Sequence, residues 1–319
     1  MQPLPFFRRL ALAALLIGAL APRTGSAAGL LDPAAMKALL VREAQRFARQ
    51  FAPPRLAEPP AWATRADPPR ATIAVLADPH YDDSGKAAWA RPTRGRLAKA
   101  IRFLNATLKP QAVLLLGDIV AFGSVEQLRH AKALLDADLA APCYTVAGNH
   151  DGPGYASVFG SPHRTFAVGG IRFVTLGLTY QTWDLGWGTC GRLDWLAEQL
   201  AAHPREPTLV LTHNPVAMPT FANNAAALAL LDAQPQVLAV LAGHMHVDYE
   251  MRLAKLHLGM PMLARAPHGF KVLRVYPDAI HVVTYEDTDG AYRQAPIYQK
   301  IDIPPDLRPA AAGAEKGPP

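Results

Sequence analysis

Short apolar runs alternate with longer amphipathic segments through most of the chain, and this alternation limits the folds that are open to it. Each apolar run has the length of a buried strand, and the segments that separate the first three runs are long enough to form helices. Strands that are apolar on both faces need cover on both faces, which helices provide in βαβ units. We therefore predict an α/β fold with helices near residues 93–108, 124–139 and 193–202. The predicted strands span residues 72–77, 112–116, 143–147, 164–168, 171–176, 208–212 and 236–242.

Polar side chains follow five of these runs directly. Parallel strands bring their carboxyl ends to one edge of a sheet, which is where α/β proteins bind ligands. A single Gly-Asp pair is more typical of a turn, and a lone histidine such as His213 is more typical of a structural residue. Five groups with oxygen or imidazole donors in succession instead favour a shared metal site. The groups are Asp78-Pro79-His80, Gly117-Asp118, Gly148-Asn149-His150-Asp151, His213 and Gly243-His244-Met245-His246.

This series of motifs resembles that of the calcineurin-like metallophosphoesterase superfamily, in the same order and over about residues 71–250. The resemblance implies a four-layer α-β-β-α sandwich with a dinuclear metal site at the carboxyl ends of the strands. It implies that Asp118 bridges the two metal ions. It also assigns Asp78, His80 and His246 to one ion, and Asn149, His213 and His244 to the other.

The implied ligands combine imidazole, carboxylate and amide oxygen donors, a set that suits Mn, Fe or Zn better than Ca. Two such ions about 3.5–4 Å apart would lower the pKa of a bridging water, and the resulting hydroxide would attack phosphorus in line. His150 matches the family histidine that protonates the leaving group or stabilises the transition state, and Asp151 would orient it. A structural role beside the ligand Asn149 is the alternative for His150.

A second similarity, carried by residues 159–162, 193–196 and 212–215, is to the cyclic-nucleotide and glycerophosphodiester phosphodiesterase branch of the superfamily. The chain departs from that branch at His213-Asn214-Pro215, where His-His-Pro-Pro is common. It also has Ala121 where purple acid phosphatases carry a tyrosine, so iron-tyrosinate chemistry is not expected. For substrate contacts we nominate Trp183, Trp187 and Asn214 in loops near the site, with packing of aromatic side chains under a loop as the alternative.

The favoured function is hydrolysis of small-molecule phosphate esters, with phosphodiesters preferred. A phosphomonoesterase of the same fold is one alternative, and an inactive metal-binding or partner-binding module is the other. A net charge of +6, of which three charges lie in the first 28 residues, is too small to indicate nucleic-acid binding. The sequence leaves the physiological substrate, the native metals and the oligomeric state open.

The amino terminus has the layout of a secretory signal peptide over residues 1–28: paired arginines at 8–9, an apolar run at 10–21 and small residues at 25–28. The apolar run is shorter than the roughly 20 residues of a spanning helix, so cleavage and export are favoured over a membrane anchor. The paired arginines also leave a twin-arginine route open. We expect a helix and a proline-rich linker at 29–70, the phosphoesterase domain at 71–303 and a disordered tail at 304–319.

The two cysteines, Cys143 and Cys190, can form one disulfide in an exported protein. Two buried thiols are the alternative. The sequence does not decide between them.

Overall fold

The computed structural model of the chain describes residues 33–84, 93–182, 186–218, 220–253 and 255–308. The predicted signal peptide at 1–28 and the substrate candidate Trp183 lie outside these residues. The helices are α1 (Pro33–Arg49), α2 (Thr93–Phe103), α3 (Val125–Asp138), α4 (Tyr155–Phe159), α5 (Leu193–Ala201) and α6 (Asn224–Asp232). The strands are β1 (Ala71–Leu76), β2 (Ala112–Leu116), β3 (Cys143–Val146), β4 (Arg164–Val168), β5 (Ile171–Leu176), β6 (Thr179–Thr182), β7 (Trp187–Thr189), β8 (Thr208–Thr212), β9 (Val237–Ala242), β10 (Tyr249–Arg252), β11 (Leu256–Gly259), β12 (Phe270–Val275), β13 (Ala279–Thr288) and β14 (Ala291–Asp302).

The strands form two six-stranded sheets and one hairpin. The first sheet has the order β14-β13-β12-β1-β2-β3, the second has the order β10-β11-β9-β8-β5-β4, and β6 pairs with β7 alone. Strands β1, β2 and β3 are parallel, as are β5, β8, β9 and β11. Each sheet therefore has a parallel centre whose carboxyl ends lie together.

The two sheets pack face to face, and helices cover the outer face of each. Because side chains alternate along a strand, Ile73 and Val75 of β1 point into the core between the sheets while Ala74 points to the outer face. Leu97 of α2 and Leu128 of α3 pack on the outer face of the first sheet. Helices α5 and α6 cover the second sheet in the same way, through Leu196, Leu200 and Leu231. The predicted four-layer sandwich is confirmed.

The predicted helices and strands are present with small shifts at their ends. Ser124 begins α3 as its N-cap, and its Oγ accepts a hydrogen bond of 3.1 Å from the amide of Gln127. Helix α2 ends at Phe103, and the chain continues as a π turn over Leu104–Leu108 before Lys109 reverses it with a φ of 47°. Helices α4 and α6 and the β6-β7 hairpin were not predicted, because their sequences are short and lack a clear period.

Helix α1 and the segment that follows it pack on the main body. Phe47 and Ala48 are buried against Met218, Met245 and Tyr249. The proline-rich segment has little regular structure, but the amide of Leu56 donates to the carbonyl of Pro296 at 2.8 Å and Arg65 pairs with Asp278 at 2.6 Å. The linker is thus fixed along the edge of the first sheet.

Regular structure continues past residue 303, the predicted end of the domain. Pro305–Leu307 form a 3-10 turn, and Leu307 is buried in the core between the sheets. The chain is therefore folded through this turn, and residues 309–319 of the predicted tail lie outside the described residues. Among the described helices, none has the length and apolar character needed to cross a membrane. Cys143 and Cys190 are both free thiols, but only Cys190 is buried, whereas Cys143 is half-buried.

Candidate metal centre

The predicted ligands meet at the edge where the parallel strands of both sheets end. The first sheet supplies Asp78 and His80 after β1, Asp118 after β2 and Asn149 after β3. The second sheet supplies His213 after β8, and His244 and His246 after β9. The site thus lies across the gap between the two sheets and takes ligands from both.

Asp78, His80, Asp118 and His246 form the first ligand group. Each offers one ligand atom, and these atoms all lie within 4.8 Å of one another. Nε2 of His80 is 3.6 Å from Oδ2 of Asp118, and Nε2 of His246 is 3.3 Å from Oδ1 of Asp78. The structure therefore brings together the four side chains that the resemblance assigns to one metal and its bridge.

Asn149, His213 and His244 form the second ligand group. Oδ1 of Asn149 lies 3.2 Å from Nε2 of His213 and 3.1 Å from Nδ1 of His244. Nε2 of His213 is also 3.3 Å from Oδ1 of Asp118. One oxygen of Asp118 thus faces each group, an arrangement that suits a carboxylate shared between two metal ions.

The backbone fixes which nitrogen of His213 faces the other ligands. Nδ1 of His213 is 2.8 Å from the carbonyl oxygen of Leu116. A carbonyl oxygen can only accept a hydrogen bond, so Nδ1 of His213 carries a proton. Nε2 is therefore the ring nitrogen that faces Asn149 and Asp118. The imidazole is therefore oriented for ligation through Nε2.

Burial and neighbouring charges set the protonation of the site. Burial lowers the pKa of His244 to about 3, and the charge of His213 lowers it further in the same direction. Burial also lowers the pKa of His80 well below its ordinary value. For Asp118, burial favours the neutral acid, but the charge of His213 outweighs it and lowers the pKa. At neutral pH these side chains are in the forms that bind metals.

The pKa of His213 is raised, whereas those of His80, His244 and Asp118 are lowered. Burial lowers its pKa, but the negative charge of Asp118 and their hydrogen bond outweigh burial and raise the pKa to about 9. The Nε2 proton of His213 must therefore be displaced before that nitrogen can ligate, so metal uptake releases a proton at this residue.

Most of the ligands lie on strained backbone. A positive φ is uncommon for residues other than glycine and costs of order 1–3 kcal/mol where the surroundings impose it, and such strain clusters at functional sites. The residues concerned are Asp78 (54°), His80 (42°), Asp118 (50°), His244 (65°) and His246 (58°).

Two glycines allow the ligand loops to approach each other. A Cβ at Gly148 would lie 2.2 Å from the amide nitrogen of Asp118. A Cβ at Gly117, whose φ is +82°, would lie 2.5 Å from Nδ1 of His213. Neither position can accept a side chain without moving a ligand.

His150 lies beside both ligand groups. Its amide donates to Oδ1 of Asp118 at 2.8 Å, and its ring lies edge-on to that of His80 with centroids 4.8 Å apart. Nδ1 of His150 donates to the carbonyl of Ala121 at 2.8 Å, and the side chain is only half-buried. The ring is thus held in place while remaining accessible from solvent.

The prediction that Asp151 orients the ring of His150 is wrong. The carboxylate of Asp151 is buried and accepts hydrogen bonds from the amides of Gly148 at 2.7 Å and Val120 at 3.1 Å. Burial, together with the charge of Asp118, raises the pKa of Asp151 to about 7. Asp151 therefore fixes the loop that carries Asn149, and the carbonyl of Ala121 orients His150.

One substrate candidate, Asn214, is placed differently from the prediction. Asn214 is fully buried: its Nδ2 donates to the carbonyls of Gly186 and Thr220, and its Oδ1 accepts from the hydroxyl of Tyr180 at 3.1 Å. It holds two loops at the metal edge and does not face a substrate. Trp187 is half-buried on β7.

Sequence reasoning missed Gly186. A Cβ at this position would lie 2.3 Å from Cε1 of His244 and 2.8 Å from Oδ1 of Asn149, so the backbone of Gly186 lies directly against the second ligand group. The only signal for it is a glycine between two tryptophans, which is too common a pattern to single out.

The donor set fits two divalent cations. Seven imidazole, carboxylate and amide side chains would not crowd their ligand atoms this closely in a plain structural role, and mixed nitrogen and oxygen donors suit Mn, Fe or Zn. The two free thiols, Cys143 and Cys190, are not among the grouped ligands.

The family model for calcineurin-like phosphoesterases matches residues 71–248, which contain every residue of the two ligand groups. The chain belongs to the calcineurin-like phosphoesterase family. A 3',5'-cyclic-nucleotide phosphodiesterase of Nostoc sp. is 26% identical over 65% of this chain and 88% of its own length. A glycerophosphodiester phosphodiesterase of Enterobacter lignolyticus is 26% identical over 59% of this chain and 70% of its own.

Two solved structures share the fold of this family member. A dimetal phosphatase from Danio rerio superposes with a TM-score of 0.57 at 20% identity, over 73% of this chain and 99% of its own. A purple acid phosphatase from yellow lupin seeds has a TM-score of 0.53 at 14% identity, over 73% of this chain and 53% of its own. Identities this low support the common fold alone.

Proposed function

We propose that this chain is an exported, dinuclear metal-dependent phosphoesterase that prefers phosphodiesters. The observation that carries the proposal is the placement of Asp118, whose two carboxylate oxygens each face one ligand group. When bound, two divalent cations would supply Lewis acidity for the phosphoryl oxygens and an activated water.

His150 supplies the proton that the reaction needs. Hydrolysis forms one P–O bond from water and breaks the ester P–O bond, and the departing oxygen must be protonated. Because Nδ1 of His150 is held by the carbonyl of Ala121, the proton that can be transferred is the one on Nε2. The half-exposed ring lies beside both ligand groups, where an ester oxygen of a bound substrate would arrive.

The preference for diesters rests on the names of relatives, which act on cyclic nucleotides or glycerophosphodiesters. These relatives are only 25–28% identical to this chain. Turnover of bis-p-nitrophenyl phosphate and of p-nitrophenyl phosphate by the Mn²⁺-loaded protein decides the preference. Faster diester turnover, lost with chelator and restored by metal, supports the proposal, whereas faster monoester turnover makes the enzyme a phosphomonoesterase.

Asp118→Asn tests the dinuclear site. Replacing the bridging carboxylate should lower the number of Mn²⁺ ions bound below two and abolish turnover. Asp136→Asn is the matched control, because Asp136 is an exposed carboxylate that pairs with Lys132 on the surface of α3. Full activity in Asp118→Asn would refute the bridging role, and a wild-type protein that binds metal without turnover would favour a binding module.

Export rests on the composition of residues 1–28. Expression of the full chain in a bacterium, followed by mass spectrometry of the recovered protein, tests it. We expect a product in the periplasmic or extracellular fraction that has been cleaved near residue 28. An intact chain confined to the cytosol would refute export.

A further inference from the structure

A fully buried lysine lies between the two sheets, close to the metal edge. Lys271 of β12 pairs in register with Val75 of β1, three residues before the ligand Asp78. Val75 and Leu273 belong to the apolar core between the sheets, so Lys271 shares their inward-facing side of the first sheet. Its side chain has no exposed surface.

The ammonium group of Lys271 has three acceptors for its three protons. Nζ donates to Oδ1 of Asp248 at 2.7 Å, to Oγ1 of Thr284 at 3.2 Å and to Oε1 of Gln299 at 2.5 Å. Thr284 in turn donates to Oδ2 of Asp248 at 2.8 Å. The group is fully satisfied, which is the condition under which a buried charge is tolerated.

These contacts cross from one sheet to the other. Lys271, Thr284 and Gln299 lie side by side on β12, β13 and β14 of the first sheet. Asp248 lies two residues after the ligand His246, just before β10 of the second sheet. The Lys271–Asp248 pair therefore ties the first sheet to the loop that carries His244 and His246.

Stability alone does not account for this arrangement. A buried ion pair costs so much desolvation that apolar residues of similar volume are often as stabilising or more so. Val75 and Leu273, which neighbour Lys271 on the same side of the first sheet, are aliphatic members of the core. The contribution of the Lys271–Asp248 pair is instead to hold the His244–His246 loop in place relative to Asp78 and Asp118 of the other sheet.

We propose that Lys271, acting through Asp248, is a positioning residue for the metal centre. The inference rests on the proposed dinuclear function and assigns to it a residue outside the family motifs. Residues that orient metal ligands typically contribute roughly 10- to 100-fold in metal affinity. The Lys271–Asp248 pair is expected to contribute within that range.

Two variants separate positioning from stability. Lys271→Met leaves the half-buried carboxylate of Asp248 without its cation. Both the melting temperature of the metal-free protein and the affinity for Mn²⁺ should therefore fall, the affinity by roughly 10- to 100-fold. Lys271→Met combined with Asp248→Leu removes the unpaired carboxylate, so the melting temperature should recover. The affinity should stay low because the charged contact between the loop and the first sheet is gone, although the hydrogen bonds from the amide of His244 to Asp78 and from Gln299 to Glu250 remain.

Gln236→Met is the matched control. Gln236 is also buried, and its Nε2 donates to the carbonyl of Leu200 at 2.8 Å, but it lies before β9, at the end of the second sheet away from the metals. This variant should lower the melting temperature and leave Mn²⁺ affinity unchanged.

Isothermal titration of each metal-free protein with Mn²⁺ measures the affinity, and thermal melts measure stability. Wild-type affinity in the double variant would overturn the positioning role while leaving the proposed function intact. A wild-type protein that takes up no Mn²⁺, Zn²⁺ or Fe²⁺ would refute the proposed function and this inference with it. A drop in affinity in Gln236→Met equal to that in Lys271→Met would assign the effect to general destabilisation.

Discussion

His257 makes the folded protein sensitive to acid at a position away from the metal centre. It lies on β11 between Leu256 and Leu258, with 1% of its surface exposed. Neither ring nitrogen has a hydrogen-bond partner among the described residues. Burial alone lowers its pKa from 6.5 to about 4. The native state thus holds His257 neutral over a range in which the unfolded chain is protonated.

The sign and size of the effect follow from this difference. Between pH 6.5 and pH 4 the unfolded state binds more protons at this residue than the native state, so acid stabilises the unfolded chain. The stability conferred by the neutral imidazole is fully present above pH 6.5 and is lost as the pH falls toward 4. A difference of about 2.5 pKa units, at about 1.4 kcal/mol each, gives a loss of about 3 kcal/mol.

His257→Leu should remove this sensitivity. Urea unfolding of the wild-type protein and of the variant at pH 7.5, 6, 5 and 4.5 gives the difference in free energy of unfolding at each pH, in which the titration of all other groups cancels. At pH 7.5 the free energy of unfolding of the variant should equal or exceed that of the wild type, because the substitution removes an unpaired buried imidazole. At pH 4.5 the free energy of unfolding of the variant, relative to that of the wild type, should be about 2–3 kcal/mol higher than at pH 7.5. A difference that does not change with pH would refute the reasoning.

Three further perturbations act on single contacts. Ser124→Ala removes the cap of α3 at Gln127 and should lower the free energy of unfolding by about 1 kcal/mol in urea titrations. Gly148→Ala places a Cβ 2.2 Å from the amide of Asp118 and should cost about 1–3 kcal/mol and weaken Mn²⁺ binding in calorimetry. His150→Ala should reduce kcat by roughly 10²- to 10⁴-fold while two Mn²⁺ ions still bind, and loss of a bound ion in this variant would make His150 structural instead.

The strand-end motifs were sufficient to predict that the candidate ligands lie together, because each of them is fixed by its own loop. Asp78 and Asp118 follow parallel strands of one sheet, and their place in space follows from strand order alone. The alternation of apolar residues predicted those strands, so it also predicted where the ligands meet. The same reasoning did not extend to residues whose role depends on long-range contacts.

Asp151 and Asn214 illustrate that limit. Both are polar residues next to a ligand, and sequence position favours a direct role in the site. In the fold, the carboxylate of Asp151 binds two backbone amides and the amide group of Asn214 binds two backbone carbonyls. Backbone partners leave no signature in a sequence, so the difference between a residue that contacts substrate and one that holds a loop is visible only in three dimensions.

The division of the ligands between two sheets makes the core between them part of the metal centre. Asp78, Asp118 and Asn149 move with the first sheet, whereas His213 and His244 move with the second. A shift of one sheet against the other changes the distances of Asp118 from His213 and of Asn149 from His244, while distances within each sheet are conserved. Apolar packing sets the mean separation of the sheets but is weakly directional. A directional contact between the sheets, such as the Lys271–Asp248 pair, fixes the offset of one sheet relative to the other. We therefore expect metal affinity to be more sensitive to substitution of that pair than to substitution of apolar core residues of equal burial.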